Sequence, residues 1–315
     1  MIRPTGTARP TSLLPSSAVL VAGSQTESPA VSVIVPVYNA GASVRRLLAA
    51  LAGQTLNVPF EIIIVDDAST DLALERVASP RVRCLRLKQR SGSYAARNAG
   101  LDVASAPILA FTDADCVPSP TWLESGLEAL DSRTDMLAGH VAPDLPSRPT
   151  AAALVDAMRF LDQRMYAELG FGATANLFVR RSVFERVGRF NPRLRSGGDR
   201  ELGLRATDAG ARIRYAPNAV VMHQSRSTFR ALAVKSVRIG RGMASHALHA
   251  QGRLRDLSPS PWDRYLYMPH RYGLDWHRLE KPLPRHRKAL VWSVNYVAVQ
   301  LPVAAGVVVG HVLDD

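Results

Sequence analysis

The chain has 315 residues, of which 47% are hydrophobic and 21% are charged, and its formal net charge is +12. This composition supports a full hydrophobic core and excludes a chain that is disordered throughout. The positive charge comes almost entirely from arginine and favours anionic partners, although an arginine-rich genome would produce the same excess. The two cysteines, Cys84 and Cys116, have no CxxC spacing and predict neither a disulfide framework nor a zinc site.

The first 30 residues are rich in proline, serine and threonine and lack the compact apolar stretch of a signal peptide, so we expect a flexible tail there. Beyond it, apolar runs alternate with amphipathic segments. The predicted strands are 31–37, 60–67, 81–87 and 106–113, and the predicted helices are 41–54, 92–104 and 121–130. Continuous Val/Ile runs separated by helices predict an α/β fold with a mostly parallel sheet covered on both faces. Ligands bind such sheets at the carboxyl ends of the strands.

The segment 226–243 has the pattern of a basic amphipathic helix. On a helical wheel, one half carries the cations Arg226, Arg230, Lys235, Arg238 and Arg241, and the other carries Phe229, Leu232, Ile239 and Met243. Two interpretations stay open: a surface helix with a solvated face, or a helix that faces phosphate or anionic lipid. The proline- and aromatic-rich stretch 256–285 is expected to be irregular.

Residues 289–311 form a run of 23 residues without a formal charge. As a helix the run would measure roughly 34 Å, enough to cross a bilayer core. Basic residues precede it and would keep the domain before it on the cytoplasmic side. We therefore expect a transmembrane or membrane-docking helix, with a C-terminal helix packed into a soluble fold as the alternative.

Asp113 and Asp115 follow the fourth predicted strand and are separated by one residue. In extended chain, residues i and i+2 point the same way, so both carboxylates can meet at one hard cation on a diphosphate. Asp is also common in turns, so this spacing alone favours a turn.

Several motifs in order give this pair its context. They are VSVIVPVYNAG at 31–41, IIIVDDAST at 62–70, GSYAARNAGL at 92–101, ILAFTDADCVP at 108–118, ATANLFVRRSVFERVGRF at 173–190 and GGDRELGLRATDAGARIRYAPNAVVMHQ at 197–224. Across about residues 31–243 the chain resembles the family 2 glycosyltransferases. The resemblance implies the GT-A fold, a Rossmann-like sheet flanked by helices. It also implies an inverting, metal-dependent transfer of a hexosyl group from a nucleotide-sugar to an acceptor hydroxyl.

The resemblance also implies which residues bind the nucleotide-sugar. The positions that match the family's nucleotide-sugar motifs are Pro36, Tyr38, Asn39, Asp66, Asp67, Arg97, Asn98 and Asp113. The carboxylate pair Asp66 and Asp67 would accept a hydrogen bond from the base or the ribose. An acceptor that faces an imide N–H favours uracil or thymine over cytosine, so we expect a UDP-sugar.

The same resemblance assigns a metal site and a catalytic base. Asp113, Asp115 and His223 match the residues near the diphosphate that hold Mn²⁺ or Mg²⁺. Asp199 matches the catalytic aspartate, which would take the proton from the acceptor hydroxyl; its position after two glycines also suits a helix cap. The family usually has an acidic residue immediately before this aspartate, whereas this chain has Gly198.

Weaker matches concern the acceptor or the leaving diphosphate, at Asn176, Arg238 and Arg241. Cys116 is expected to be a packing residue because no neighbouring base in the sequence would activate its thiol. A strand-end histidine such as His223 is often structural.

The predicted organisation is a tail over 1–30, a GT-A domain over 31–225, a basic helix with an irregular extension over 226–288, and the membrane segment over 289–311. We expect a location at the cytoplasmic face of the cell membrane, with an acceptor that is lipid-linked or a cell-envelope glycan. The principal alternative is a catalytically inactive nucleotide-sugar-binding protein. A nucleic-acid binder is not favoured, because no zinc spacing, RNP-type strand or helix-turn-helix is present. A nucleotidyltransferase would need a glycine-rich phosphate loop that the sequence lacks after residue 37.

Overall fold

The fold is taken from a computed structural model of the chain. It describes residues 18–22, 28–71, 82–249, 274, 277, 279, 283–302 and 305. The strands in this part of the chain are β1 Ala18–Ala22, β2 Val31–Val37, β3 Phe60–Asp66, β4 Val82–Leu87, β5 Ile108–Thr112, β6 Cys116–Pro118, β7 Met136–Asp144, β8 Asn176–Arg180 and β9 Ile213–Gln224. The helices are α1 Gly41–Ala52, α2 Ser93–Val103, α3 Trp122–Ala129, α4 Ala151–Arg159, α5 Gln163–Glu168, α6 Arg181–Val187, α7 Gly198–Asp208, α8 Phe229–His249 and α9 Arg285–Asn295.

The strands form one sheet in the order β1-β4-β3-β2-β5-β8-β7-β9-β6. Its centre, β4-β3-β2-β5, is parallel. Antiparallel strands extend it on both sides, and β7 and β9 add a further parallel pair. The predicted α/β fold with a GT-A-like sheet and flanking helices is confirmed.

Both faces of the central strands are buried, and most of the side chains on both faces are apolar; the buried polar pair Ser32 and Glu61 is joined by a hydrogen bond of 2.7 Å. Side chains of β2 and β3 alternate between two cores, so that Val33 and Ile62 join one cluster while Ile34 and Ile63 join the other. Helices α1 and α3 complete the first cluster, and α2, α6 and α7 complete the second. Continuous burial of this kind explains why β2 and β3 read as unbroken hydrophobic runs.

The strand register brings the predicted motif residues to one edge. Val37 at the end of β2 pairs with Asp66 at the end of β3, and β5 ends one strand away, just before Asp113. On the other side, antiparallel pairing of β6 with β9 sets Cys116 opposite His223. A histidine that is more than a hundred positions away in sequence therefore lies next to the two aspartates.

Two expectations about the ends of the domain need revision. Within the tail that was expected to be flexible, residues 18–22 form β1 and pair with β4 at the edge of the sheet. At the other end, α9 and the π-helical turn Tyr296–Gln300 pack through Val291, Ala298 and Val299 into an apolar cluster with residues of α4 and α8.

No helix in the described ranges has both the length and the hydrophobicity that a bilayer crossing requires. Residues 303, 304 and 306–311 of the predicted membrane segment lie outside those ranges, as do most residues of the stretch 256–285.

Candidate active site

A cavity of about 690 Å³ opens at the carboxyl edge of the parallel strands. Residues from β2, α2, the β5–β6 connection, α7 and α8 line it. Its walls carry four aspartates, Asp67, Asp113, Asp115 and Asp199, and seven cations, Arg97, Arg159, Arg195, Arg200, Arg226, Lys235 and Arg238. Cations outnumber carboxylates, so the cavity suits a ligand with several negative charges.

The segment after β2 forms one rim of the cavity, where Pro36, Tyr38 and Asn39 all lie. The guanidinium of Arg90 lies 4.1 Å from the centre of the half-exposed Tyr38 ring. The Asn39 backbone has a left-handed φ of 48°, and its Oδ1 accepts a hydrogen bond from the Thr70 amide at 2.8 Å. The Asn39 side chain therefore holds the loop after β3, and its contribution to the rim comes through the shape of the backbone.

Asp66 and Asp67 are both buried, and the chain's own donors engage both carboxylates. Asp66 accepts from the Ser69 amide at 2.8 Å and pairs with Arg86 at 3.2 Å, and it does not line the cavity. Asp67 accepts from the amides of Ser91 and Gly92 at 2.6 and 2.8 Å, which fixes the loop before α2. Asp67 alone of the pair faces the cavity.

Arg97 and Asn98 are neighbours on α2 with different surroundings. Arg97 is 3% exposed and its Nη2 donates to Asp113 Oδ1 at 2.5 Å, while its buried Nε has no hydrogen-bond partner among the described residues. Its guanidinium also lines the cavity and places a positive charge there. Asn98 instead exchanges two hydrogen bonds with the backbone of Phe190, at 2.9 and 3.1 Å, and does not line the cavity.

Asp113, Asp115 and His223 gather beside Arg97. His223 Nε2 lies 3.8 Å from Asp115 Oδ2. Burial lowers the pKa of His223, although Asp115 acts in the opposite direction, so the neutral imidazole is favoured. Burial raises the pKa of the Cys116 thiol between them well above its usual value, so the thiol stays protonated and serves packing.

This group fits a metal that shares its coordination with a ligand. In the part of the chain that the structure describes, no three His, Cys, Asp or Glu side chains are gathered closely enough to hold a metal by themselves. Magnesium-type sites commonly use one or two carboxylates together with substrate phosphate oxygens. Asp115 with the neutral His223 offers such a partial set, and Asp113 adds a carboxylate that is now paired with Arg97.

Asp199 lies in the first turn of α7 and lines the same cavity as Asp113. Gly197 precedes the helix with a left-handed φ of 77°, which brings the helix start to the cavity. Asp199 Oδ1 accepts from the Arg200 amide at 3.0 Å and contacts the Tyr94 hydroxyl at 3.4 Å. Asp199 Oδ2 accepts a long hydrogen bond from the Thr174 amide, also at 3.4 Å.

Asn176 has no access to the cavity because it is fully buried at the start of β8. It accepts from Trp122 Nε1 at 2.8 Å and donates to the carbonyls of His140 and Ala219, both at 2.8 Å. These contacts satisfy the hydrogen-bonding groups of its side chain and connect β8 to α3, β7 and β9. The resemblance implied a contact between Asn176 and the acceptor, and this buried position does not support such a contact.

Two cations at the cavity, Lys235 on α8 and Arg226 just before it, were given no site role by the sequence motifs. Lys235 is 8% exposed, lines the cavity and donates to Asp156 Oδ1 on α4 at 2.8 Å. Burial lowers the pKa of Lys235 to about 8, and Asp156 opposes this shift. Arg226 also pairs with Asp156, at 3.8 Å. Arg238 lines the cavity, whereas Arg241 is exposed and does not.

The helical wheel of residues 226–243 places Lys235 and the arginines on one face, and this pattern is the part of the sequence that indicates a cationic surface here. It did not reveal the partner Asp156, which is 79 positions away. Tyr94 was also missed, because a tyrosine in the first turn of a helix gives no sign of a contact with Asp199, 105 positions away.

Comparison with known proteins identifies the family. The profile of glycosyl transferase family 2 matches residues 32–188. The glycosyltransferase AglE of Haloferax volcanii is 36% identical over 222 residues, which span 68% of this chain and 73% of the relative. The pre-mycofactocin glycosyltransferase of Mycobacterium tuberculosis is 31% identical over 212 residues, 64% of this chain and 44% of that relative.

A solved structure is similar in fold. The mannosyltransferase PcManGT from Pyrobaculum calidifontis, in complex with GDP-Man and Mn²⁺, has a TM-score of 0.60 to this chain. The match covers 94% of this chain and 90% of the other at 20% identity, and at that identity it supports the fold alone. From the family profile and the extent of the match to AglE, the chain belongs to glycosyl transferase family 2 and is a transferase enzyme.

Proposed function

We propose that the protein transfers a sugar from a nucleoside diphosphate sugar to an acceptor hydroxyl in a single displacement that inverts the anomeric carbon. One observation carries the proposal: Asp199 shares a cavity with Asp113, Asp115 and a cationic wall, at the carboxyl edge of a parallel sheet. The arrangement offers a base on one side and a site for a diphosphate on the other.

The donor half of the proposal rests on Asp67, Arg97 and Asp113. Asp67 is the carboxylate that faces the cavity after β3, and it is the candidate acceptor for an N–H of the base. Uracil and guanine both present such an N–H. We favour a UDP-sugar, and GDP-sugars belong in the test because the similar mannosyltransferase holds GDP-Man. The guanidinium of Arg97 lines the cavity and can place its positive charge beside a phosphate group.

Asp113, Asp115 and His223 are the proposed ligands of Mn²⁺ or Mg²⁺. When bound, such an ion supplies positive charge that stabilises the departing nucleoside diphosphate. The buried Arg97 supplies charge at the same place from the protein itself.

Asp199 is the proposed general base. Its carboxylate takes the proton of the acceptor hydroxyl while the acceptor oxygen forms a bond to the anomeric carbon. The bond from the anomeric carbon to the diphosphate oxygen breaks in the same step, and its electron pair leaves with the nucleoside diphosphate. Attack from the side opposite the leaving group inverts the configuration.

The acceptor is proposed to be an amphiphile, such as a lipid-linked or cell-envelope glycan. An apolar part of the cavity wall is formed by Phe160, Leu161, Met165 and Phe171, and it adjoins the cations of α8. The large apolar side chains Leu290, Trp292, Tyr296, Val297 and Leu301 of the C-terminal segment are between 44% and 55% exposed. We propose that this surface holds the enzyme at the cytoplasmic face of a membrane; co-sedimentation with anionic lipid vesicles tests it.

The function is tested with a panel of UDP-, GDP- and dTDP-sugars in the presence of Mn²⁺, with chelator controls. Donor binding is measured by calorimetry, and transfer or hydrolysis is measured as released nucleoside diphosphate. We expect one nucleotide class to bind and to be turned over. Binding without any release would favour the inactive nucleotide-sugar-binding protein, and no binding of any donor would contradict the proposal.

A further inference from the structure

Tyr94, at the start of α2, is buried directly against the proposed base. Its side chain is 6% exposed, and its ring stacks on Phe190 with 5.8 Å between centroids. Its hydroxyl lies 3.4 Å from Asp199 Oδ1. The guanidinium of Arg97 lies 5.5 Å from the centre of the same ring. Tyr94 therefore stands between the donor side of the cavity, where Arg97 pairs with Asp113, and the base.

Gly198 provides the space that the Tyr94 ring occupies. A methyl group built at position 198 would come within 2.8–2.9 Å of three carbons of that ring, closer than packed carbon atoms approach. Gly198 is buried in the first turn of α7. An acidic side chain, which the family usually has at this position, would need the volume that the ring fills.

We propose that Tyr94 is a positioning residue for Asp199 and that Gly198 is the matching change that admits its ring. The inference rests on the proposed role of Asp199 as base. In this chain the Tyr94 ring fills the space that a side chain at position 198 would need, and its hydroxyl supports Asp199 from that side. Gly198 is then part of a working site and is no sign of lost activity.

The contacts of the carboxylate explain what this support does. Oδ1 receives the Tyr94 hydroxyl and the Arg200 amide, whereas Oδ2 receives only the long contact from the Thr174 amide among the described residues. Holding Oδ1 leaves Oδ2 as the oxygen that takes the acceptor's proton. Burial and the Asp199 charge raise the pKa of Tyr94, so its hydroxyl stays protonated and donates.

The test is Tyr94→Phe, which removes the hydroxyl and keeps the ring. We expect kcat to fall by about tenfold, as for one lost hydrogen bond to a charged group, with unchanged donor affinity. Tyr215→Phe is the matched control, since its hydroxyl bonds His140 Nδ1 at 2.9 Å outside the cavity. Its kcat should equal that of the wild type.

Gly198→Ala provides a second, independent variant because it displaces the ring and keeps the hydroxyl. We expect it to reduce kcat in the wild-type background and to add little in the Tyr94→Phe background. An unchanged kcat in Tyr94→Phe, or in Gly198→Ala if Tyr94→Phe does not fold, overturns the inference. If the Asp199→Asn variant has the kcat of the wild type, the assignment of Asp199 as the base fails. If Asp199→Asn has a low kcat while Tyr94→Phe has the kcat of the wild type, only the role of Tyr94 is removed.

Discussion

The two sides of the cavity use their charged and polar residues differently. On the donor side, Asn39, Asp66 and Asp67 accept hydrogen bonds from backbone amides of neighbouring loops. On the α8 side, Lys235 and Arg238 present cations whose surroundings are built from side chains of distant elements. The first side is shaped by the motifs themselves, and the second is assembled by tertiary packing. The comparison teaches that a motif residue can build the wall of a site without contacting the ligand.

Among the variants that compare the two sides, the largest expected effect comes from Asp115, one of the proposed metal ligands. Asp115→Asn should reduce transfer by about 10³-fold, corresponding to several kcal/mol of charge stabilisation. The rate is measured across a Mn²⁺ titration, and Mn²⁺ binding is followed in parallel. Asp144→Asn is the control, because Asp144 pairs with Arg46 outside the cavity. Full activity of the wild type in excess chelator would contradict the metal proposal.

On the α8 side, Lys235→Met should destabilise the fold by about 3 kcal/mol because Asp156 loses its nearest cation inside the protein. The double variant Lys235→Met/Asp156→Leu should recover part of this loss, since the charge left without its partner is then Arg226, whose side chain is 27% exposed to water. Urea unfolding of the variants measures the difference. Equal stability of the single variant and the wild type would show that Arg226 suffices as the partner of Asp156.

On the donor side, two adjacent residues of one motif should behave differently. Arg97→Gln should weaken donor binding by about 30-fold, because a charged hydrogen-bond donor at the cavity is lost. Asn98→Ala should lower the free energy of unfolding by about 1–2 kcal/mol through its lost bonds to Phe190, with donor affinity unchanged. Calorimetric donor titration and urea unfolding separate the two. A large loss of donor affinity in Asn98→Ala would contradict the structural role.

The smallest effect concerns pH. Lys235 has a pKa of about 8, so it is charged at pH 7 and largely neutral at pH 9. Affinity for the anionic ligand should therefore fall by up to about tenfold over this range, as for one lost charge contact. The pKa of Lys235 in the folded protein lies below its usual value. At a pH between these two values the unfolded chain binds more protons than the folded protein. The contribution of Lys235 to the free energy of unfolding therefore increases as pH rises. Unfolding does not explain the loss, and a flat profile in Lys235→Met would support the assignment.

The sequence predicted the fold where local pattern decides it. The apolar runs of β2, β3 and β5 and the periodic segments of α1 and α2 are in the structure within a few residues. It did not predict β1: the apolar run AVLVA at 18–22 is only five residues long, and the proline- and serine-rich composition around it favoured a flexible tail.

The site could be predicted only in part for the same reason. Asp113, Asp115, Asp199 and His223 meet at one cavity, as the motif order indicated. Asn98 and Asn176 point away from the cavity because their side chains bond to residues far along the chain, Phe190 and Trp122 respectively. No local sequence pattern reveals these partners. The same holds for the pairs Tyr94–Asp199 and Lys235–Asp156.

The most direct test of the account compares the single-turnover rates of the wild type and Asp199→Asn. Both rates are measured with Mn²⁺ present and with a saturating concentration of the donor that the binding panel identifies. If Asp199 is the base, the variant binds the donor with wild-type affinity and releases nucleoside diphosphate at least about 10³-fold more slowly. Equal donor affinity together with an equal rate of release would contradict the central claim.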